Sequence, residues 1–345
     1  MAGDCIRQIP RWGFVLSLAA TILMMAAASA PSLFYPQIAE RLGLIPVATT
    51  LVFAVYTFTL LAALLYLGPL SDHVGRRPVV AAGSLALALS VAMFWFAGSL
   101  AALLVARALQ GLAAGLLIPA LSAMMIDFES PSHRNIAALW NTIGPMIGLG
   151  AGALGAALLL DLTSEPTTAV FGSLVLAFLI VATVVWSTPE LVPKTQIRRG
   201  DLRPRFTVPP HLRRMFTVGV PVIIAGWATN GLFLALGADL VGSELGGSTH
   251  TQAGIVLFAL AISGVTASSV LQRRSARTIS LYATSALAFG TAVSIGALAL
   301  GSYPAYVASV AIVGSGFGTA FLGVLRTLMP HTASSERAAV MAVIY

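Results

Sequence analysis

Residues 68–78 read GPLSDHVGRRP. Asp72, His73, Arg76 and Arg77 crowd into this stretch, in a chain in which charged residues make up only 9%. Gly68 and Gly75 frame the acid, and Pro69 and Pro78 stand near the two ends. A positively charged loop accounts for the arginines. It does not account for an aspartate held at a fixed distance between two glycines.

The surrounding chain is of a different kind. It has 345 residues, of which 58% are hydrophobic, well above the roughly 45–50% usual in soluble domains. Apolar runs of about 20 residues recur, each long enough to cross a hydrocarbon core of about 30 Å. The fold class expected is therefore an all-α membrane protein. Spans are expected at residues 13–36, 47–67, 79–97, 100–126, 136–160, 168–187, 214–237, 251–271, 279–299 and 303–328, with an eleventh opening near Arg337. The first apolar run, from Phe14 to Tyr35, exceeds the 7–15 residues of a signal-peptide core and reads as a retained span. The single Cys5 excludes a disulfide framework or a cysteine metal site.

Lysine and arginine mark the cytoplasmic side of a membrane protein. With the amino terminus inside, all of the 19 basic residues fall inside except Arg41, outside, and Arg107, within a span. The net charge of +7 is thus a topology signal, and no nucleic-acid partner is expected. Residues 188–213, rich in proline and arginine, read as a cytoplasmic linker between an N-terminal six-helix bundle (1–187) and a C-terminal bundle (214–345). An internal repeat at an offset of 203 supports two related halves: Gly111 and Gly115 match Gly314 and Gly318, and Arg134 matches Arg337. Transporters are often built from such repeats. The first half completes two spans after Arg134, whereas the second stops soon after Arg337. A fragment of a twelve-helix protein is the expectation, with a natural truncation as the alternative.

Gly68, Asp72, Gly75, Arg76 and Arg77 follow the spacing glycine, three residues, aspartate, two residues, glycine, two basic residues. In this position, between the second and third spans, the loop resembles the signature of the major facilitator superfamily. The resemblance implies two six-helix bundles, the second incomplete here because the end of the eleventh helix and all of the twelfth are missing. It also implies a gating loop whose aspartate meets the start of the eleventh helix. Gly68 is expected to let two helices approach closely, Gly75 to take positive φ, and Asp72 to accept backbone N–H bonds at a helix amino terminus. Asp127 and Glu129, after the fourth span, are the expected latch partners of Arg76.

The fourth span contains Arg107, Gln110, Gly111 and Gly115, which look like the superfamily's fourth-helix motif. There the arginine faces the central cavity and is linked to proton coupling; snorkelling to the interface is the alternative. In the fifth span Gly144, Pro145 and Gly148 resemble the antiporter signature, although Leu149 stands where a second glycine is usual. Helix packing explains these glycines as well. Trp140, Asn141 and Asn230 join Arg107 and Gln110 as expected cavity residues, with Met24, Met25, Tyr35, Tyr56 and Trp227 as further candidates. The first span has no acid, so coupling would fall to loop acids, to Asp161 or Asp239 at helix mouths, or to the absent helices.

No phosphate-binding loop or metal-ligand cluster stands out, and the five histidines are scattered. An enzyme is not expected. The expected function is a secondary active transporter of the cell inner membrane, working as a monomer. It would export small apolar or amphipathic molecules against protons, with no cofactor beyond the proton gradient. A metabolite importer (symporter) of the same fold, or a transport-inactive truncated protein, are the alternatives.

Overall fold

A computed structural model of the protein describes residues 12–130, 136–191, 210–328 and 332. In lipid every backbone polar group must be satisfied within the protein, so an apolar chain of this kind folds into helices. They are α1 (Trp12–Ser29), α2 (Tyr35–Leu42), α3 (Pro46–Leu67), α4 (Leu70–Val74), α5 (Arg76–Trp95) and α6 (Leu100–Asp127). There follow α7 (Ile136–Leu162), α8 (Pro166–Val184), α9 (Arg213–Ser243), α10 (His250–Leu271), α11 (Ala276–Ala299) and α12 (Tyr303–Leu328). Among the described residues ten helical segments are long and apolar enough to cross a membrane, with α1 and α2 counted as one. The eleventh span, Arg134 and most of the linker lie outside the described residues.

Element edges differ from the sequence reading where local chemistry intervenes. The first span does not end at residue 36. A 3-10 segment, Ala30–Phe34, tightens the chain at Pro31, and α2 carries on to Leu42. Proline lacks the N–H that an interior turn needs but fits the first turn, where Pro36 stands in α2. Gly43 then stops the helix at φ 61°, its N–H reaching the carbonyls of Ala39 and Glu40. Similarly, α5 opens at Arg76, before Pro78, and α9 runs on to Ser243.

Between membrane helices, small residues allow the close approach that dispersion requires. A Cβ on Gly115 would stand 2.6 Å from Ala63 Cβ and from the Leu60 carbonyl, and one on Gly111 would strike Thr59 and the Tyr56 carbonyl. Those contacts seat α6 on α3. The matching pair does the same for α12 on α10: a Cβ on Gly318 would stand 2.5 Å from the Gly264 carbonyl, and one on Gly314 would strike Leu260. The repeat seen in the sequence is thus a repeat of helix contacts. Helix α7 packs against α1 through Gly148 and Gly152, and against α10 through Gly150, where a Cβ would stand 2.8 Å from Ala261 Cβ, and through Ala157, whose Cβ would be 2.5 Å from one placed on Gly254. Ser29 Oγ adds a hydrogen bond to the Leu149 carbonyl, 2.8 Å. These contacts bring the ends of α3, α6 and α8 to one face, the loop end, and the ends of α2, α5 and α7 to the opposite face, the far end.

Candidate functional site

At the loop end, Arg76 is the hub. Its Nε donates to Asp127 Oδ2 at 3.1 Å, and its Nη1 donates to Ser71 Oγ at 2.7 Å and to Asp72 Oδ1. The Arg76 side chain is only 13% exposed, against 61% for Asp72 and 27% for Asp127. The Asp127 bond, better shielded from water, is therefore the stronger of the two ion pairs; exposed pairs contribute at most about 1 kcal/mol. Of the two expected latch partners, Asp127 pairs and Glu129 does not: its Oε1 accepts the Ala137 N–H at 2.9 Å, capping α7.

Two further expectations for the loop are corrected. Among the described residues Gly68 brings no second helix close: a Cβ there would meet only the Leu64 carbonyl of its own helix, at 2.5 Å. Asp72 does not cap a helix among the described residues; it lies within α4, one turn before Arg76, and is drawn to that guanidinium. The start of the eleventh span, its other expected partner, lies outside the described residues.

The sequence reading missed Glu190. Its two carboxylate oxygens accept the backbone N–H groups of Arg76 and Arg77, each at 3.0 Å. An anion is favoured there by the positive end of the helix dipole. Arg77 reaches back, donating from Nη2 to the Trp186 carbonyl and lying 5.3 Å over the Trp186 ring. Gly75 makes the approach possible: its φ of 105° and ψ of 156° suit glycine almost alone, and a Cβ would meet Glu190 Oε2 at 2.7 Å. An acid between two prolines at 188–193 was the available signal. Gly75→Ala is expected to cost about 1–3 kcal/mol through backbone strain and, in addition, the Glu190 cap. Glu190→Gln should cost less, about 0.3–1 kcal/mol. Thermal unfolding in detergent should rank the parent above Glu190→Gln and Glu190→Gln above Gly75→Ala; equal melting for all three would remove the cap from the account.

Deeper in the same helices lies Arg107, 1% exposed. It does not snorkel, and it does not face an open cavity. Nε donates to Tyr35 Oη and Nη1 to Gln110 Oε1, both at 2.6 Å, while Gln110 Nε2 donates to the Ala27 carbonyl at 2.8 Å. The rings of Tyr35, Phe53, Tyr56 and Phe94 surround the guanidinium at 5.1 to 5.5 Å. Each ring face attracts a cation, by about 2 kcal/mol or more when water is excluded. Nη2 has no hydrogen-bond partner among the described residues. The result is a closed aromatic box with one guanidinium nitrogen, Nη2, to spare.

The other expected cavity residues do not converge on it. Asn141 Nδ2 donates to the Ser122 carbonyl at 3.3 Å, fifteen residues beyond Arg107 on α6 and so about 22 Å along the axis. Trp140 is half-buried. Asn230 is buried on α9, its Oδ1 unpartnered among the described residues, and Trp227 packs edge-on against Phe317 at 5.5 Å. Gly144 and Gly148 face α1, a Cβ meeting Leu18 at 3.1 Å and Met25 at 2.7 Å respectively, with Pro145 between them inside α7. Gly152, unremarked in the sequence, continues that stripe: a Cβ there would stand 2.6 Å from Ser29 Oγ.

At the far end, Asp161 near the end of α7 binds the first turn of α10, accepting the N–H groups of His250 and Thr251 at 3.1 and 2.7 Å. The other helix-mouth acid, Asp239, is exposed.

Comparison with known proteins agrees with this architecture. The family model of the Major Facilitator Superfamily matches residues 16–345. Puromycin resistance protein pur8 of Streptomyces alboniger is 32% identical over 148 residues, 41% of this chain and 29% of that protein. Multidrug efflux pump LfrA of Mycolicibacterium smegmatis is 31% identical over 229 residues, 63% of this chain and 41% of the pump. The matches thus span less than half the length of these relatives. A bacterial homologue of the human lysosomal transporter Spinster, in an inward-facing, unoccupied crystal structure, superposes with a TM-score of 0.71 at 12% identity. The match covers 99% of this chain and 78% of that one.

Proposed function

The chain belongs to the Major Facilitator Superfamily, and on that footing we propose that it is a secondary active transporter that exports small apolar or amphipathic molecules by alternating access, driven by protons. It is a multi-pass membrane protein; the proposal places it in the inner membrane with the loop end cytoplasmic and the far end outside. The observation that carries the reading is a pair of contacts at opposite ends of the same helices. The Arg76–Asp127–Glu190 network holds the loop end of the first six helices, and Asp161 joins α7 to α10 at the far end. Bonds of this strength, about 1.5–3 kcal/mol for a charged partner, bias a two-state equilibrium when they exist in one state and not in the other.

The character of the interior favours apolar cargo. Arg107 is the one arginine lying more than a turn from either end of a described span, and it is enclosed by rings. The efflux proteins that this chain resembles point the same way, and a polar metabolite would need charged cavity groups that these helices lack. Inverted vesicles acidified inside, with a fluorescent lipophilic cation outside, test the proposal. Accumulation that collapses when an uncoupler removes the pH gradient is expected. Movement only down the substrate's own gradient would remove proton coupling, and gradient-driven movement in the opposite sense would favour the importer.

A further inference from the structure

The far-end contact contains a titratable pair that neither the loop network nor the arginine box uses. Asp161 Oδ1 lies 2.8 Å from His250 Nδ1 as well as accepting the His250 N–H, while Oδ2 accepts both the N–H and the hydroxyl of Thr251. On the other side of the ring, His250 Nε2 lies 3.1 Å from Gln37 Nε2, in the first turn of α2. The imidazole is therefore clasped between α2 and α7 and sits on the first residue of α10. The His250 side chain is 42% exposed and that of Asp161 21%, so the pair meets the solution at that face.

We propose that His250 and Asp161 form a proton-operated outer gate, in which a proton on His250 favours the closed far end. The inference rests on the exporter topology given above. Histidine is the side chain whose charge ordinarily changes between pH 5 and 8. With the far end open, α7 and α10 part and the ring faces water. Closing brings it against the Asp161 carboxylate, so an imidazolium gains a charge-assisted bond in the closed state alone. A ligand shifts an equilibrium only through its differential affinity for the two states.

Opposing effects are smaller or lie elsewhere in pH. The positive end of α10 disfavours a cation at its first residue, but that effect is screened at an exposed site. Protonating Asp161 in place of the histidine would loosen the contact, but the His250 and Thr251 N–H groups and the Thr251 hydroxyl that it accepts all favour the charged carboxylate. Titratable groups at the far ends of the elements beside α10 are Asp161 on α7, Glu40 and Arg41 on α2, Asp239 and Glu244 at the end of α9, and Tyr303 on α12. Of these, Asp161 is the group hydrogen-bonded to His250. Gln37 suits both states, donating to a neutral Nε2 and, with its amide turned over, accepting from a protonated one. The sign matches the exporter: acid outside closes the outer gate and drives the protein towards its inward-facing state.

Spin labels at Leu162→Cys on α7 and Gly242→Cys on α9, both at exposed positions and with Cys5→Ser, report the gate in nanodiscs by distance measurement. Between pH 8 and pH 5.5 the ratio of near to far populations should rise about tenfold, a usual size for linked equilibria. His250→Gln should abolish the pH response, and Asp161→Asn should favour the far population at both pH values. An unchanged pH response in His250→Gln, or none in the parent, overturns the proposal. Gradient-driven export with pH-insensitive distances would remove the gate alone. A His250-dependent distance change without export would leave the gate standing and remove the exporter reading.

Discussion

Arg107→Ala is expected to lower proton-driven transport at least about 100-fold and to lower the melting temperature as well. The substitution deletes donors to Tyr35 and Gln110 and empties the centre of a box walled by four rings. Hydrogen bonds to a charged group are worth about 1.5–3 kcal/mol each, so the loss of two is enough for that factor. Gln110 would remain bound to Ala27 with its Oε1 unsatisfied. Arg107→Lys separates fold from function. A lysine keeps the charge but not the planar fork that serves Tyr35 and Gln110 together. It should restore much of the melting temperature while transport stays at least tenfold low. Parent rates in both variants would mean that the buried cation is a packing feature only.

Gly111→Val and Gly314→Val should each prevent accumulation of folded protein. A side chain at Gly111 runs into Thr59 and the Tyr56 carbonyl, and one at Gly314 into Leu260 and Ser263. The obstacle is backbone in both cases, so no rotamer change relieves it and the helix pairs α3–α6 and α10–α12 must separate. Overpacking of well-packed sites usually costs about 1–3 kcal/mol; with backbone in the way the cost here should reach at least about 3 kcal/mol. Gly155→Val, where a Cβ meets nothing within 4 Å among the described residues, is the control. Monodisperse elution of the detergent-solubilised protein separates them: Gly155→Val should behave as the parent, and similar behaviour from Gly111→Val would overturn the packing assignment.

The sequence made the helices legible because a membrane leaves so few alternatives, and the loop at 68–78 legible because residue type and spacing both had to be met. Asp127 lay within reach of that reasoning, since it ends the helix next to the loop. Glu190 did not. It lies 114 residues from Arg76, in a stretch whose composition says linker, and the prolines on either side set the acid apart without saying that it caps α5. Tyr35 and Arg107 are 72 residues apart, so a lone cation in a span could be read as facing a cavity when the fold wraps it in rings. The His250–Asp161 pair, 89 residues apart, is hidden for the same reason: one-dimensional spacing reports faces of a helix, not which helices meet. Among the described residues Gly68 touches no second helix, since the motif fixes where a glycine stands, not what it touches.

The central claim is that the two ends of this protein open in alternation. Two label pairs in one set of samples measure this most directly: Ser187→Cys with Arg273→Cys at the loop end, and Leu162→Cys with Gly242→Cys at the far end, all at exposed positions. The account predicts reciprocal populations, the loop-end distance lengthening as the far-end distance shortens when pH falls, and Asp127→Asn moving both towards an open loop end. Distances that stay fixed at both ends, or that lengthen together, would contradict it.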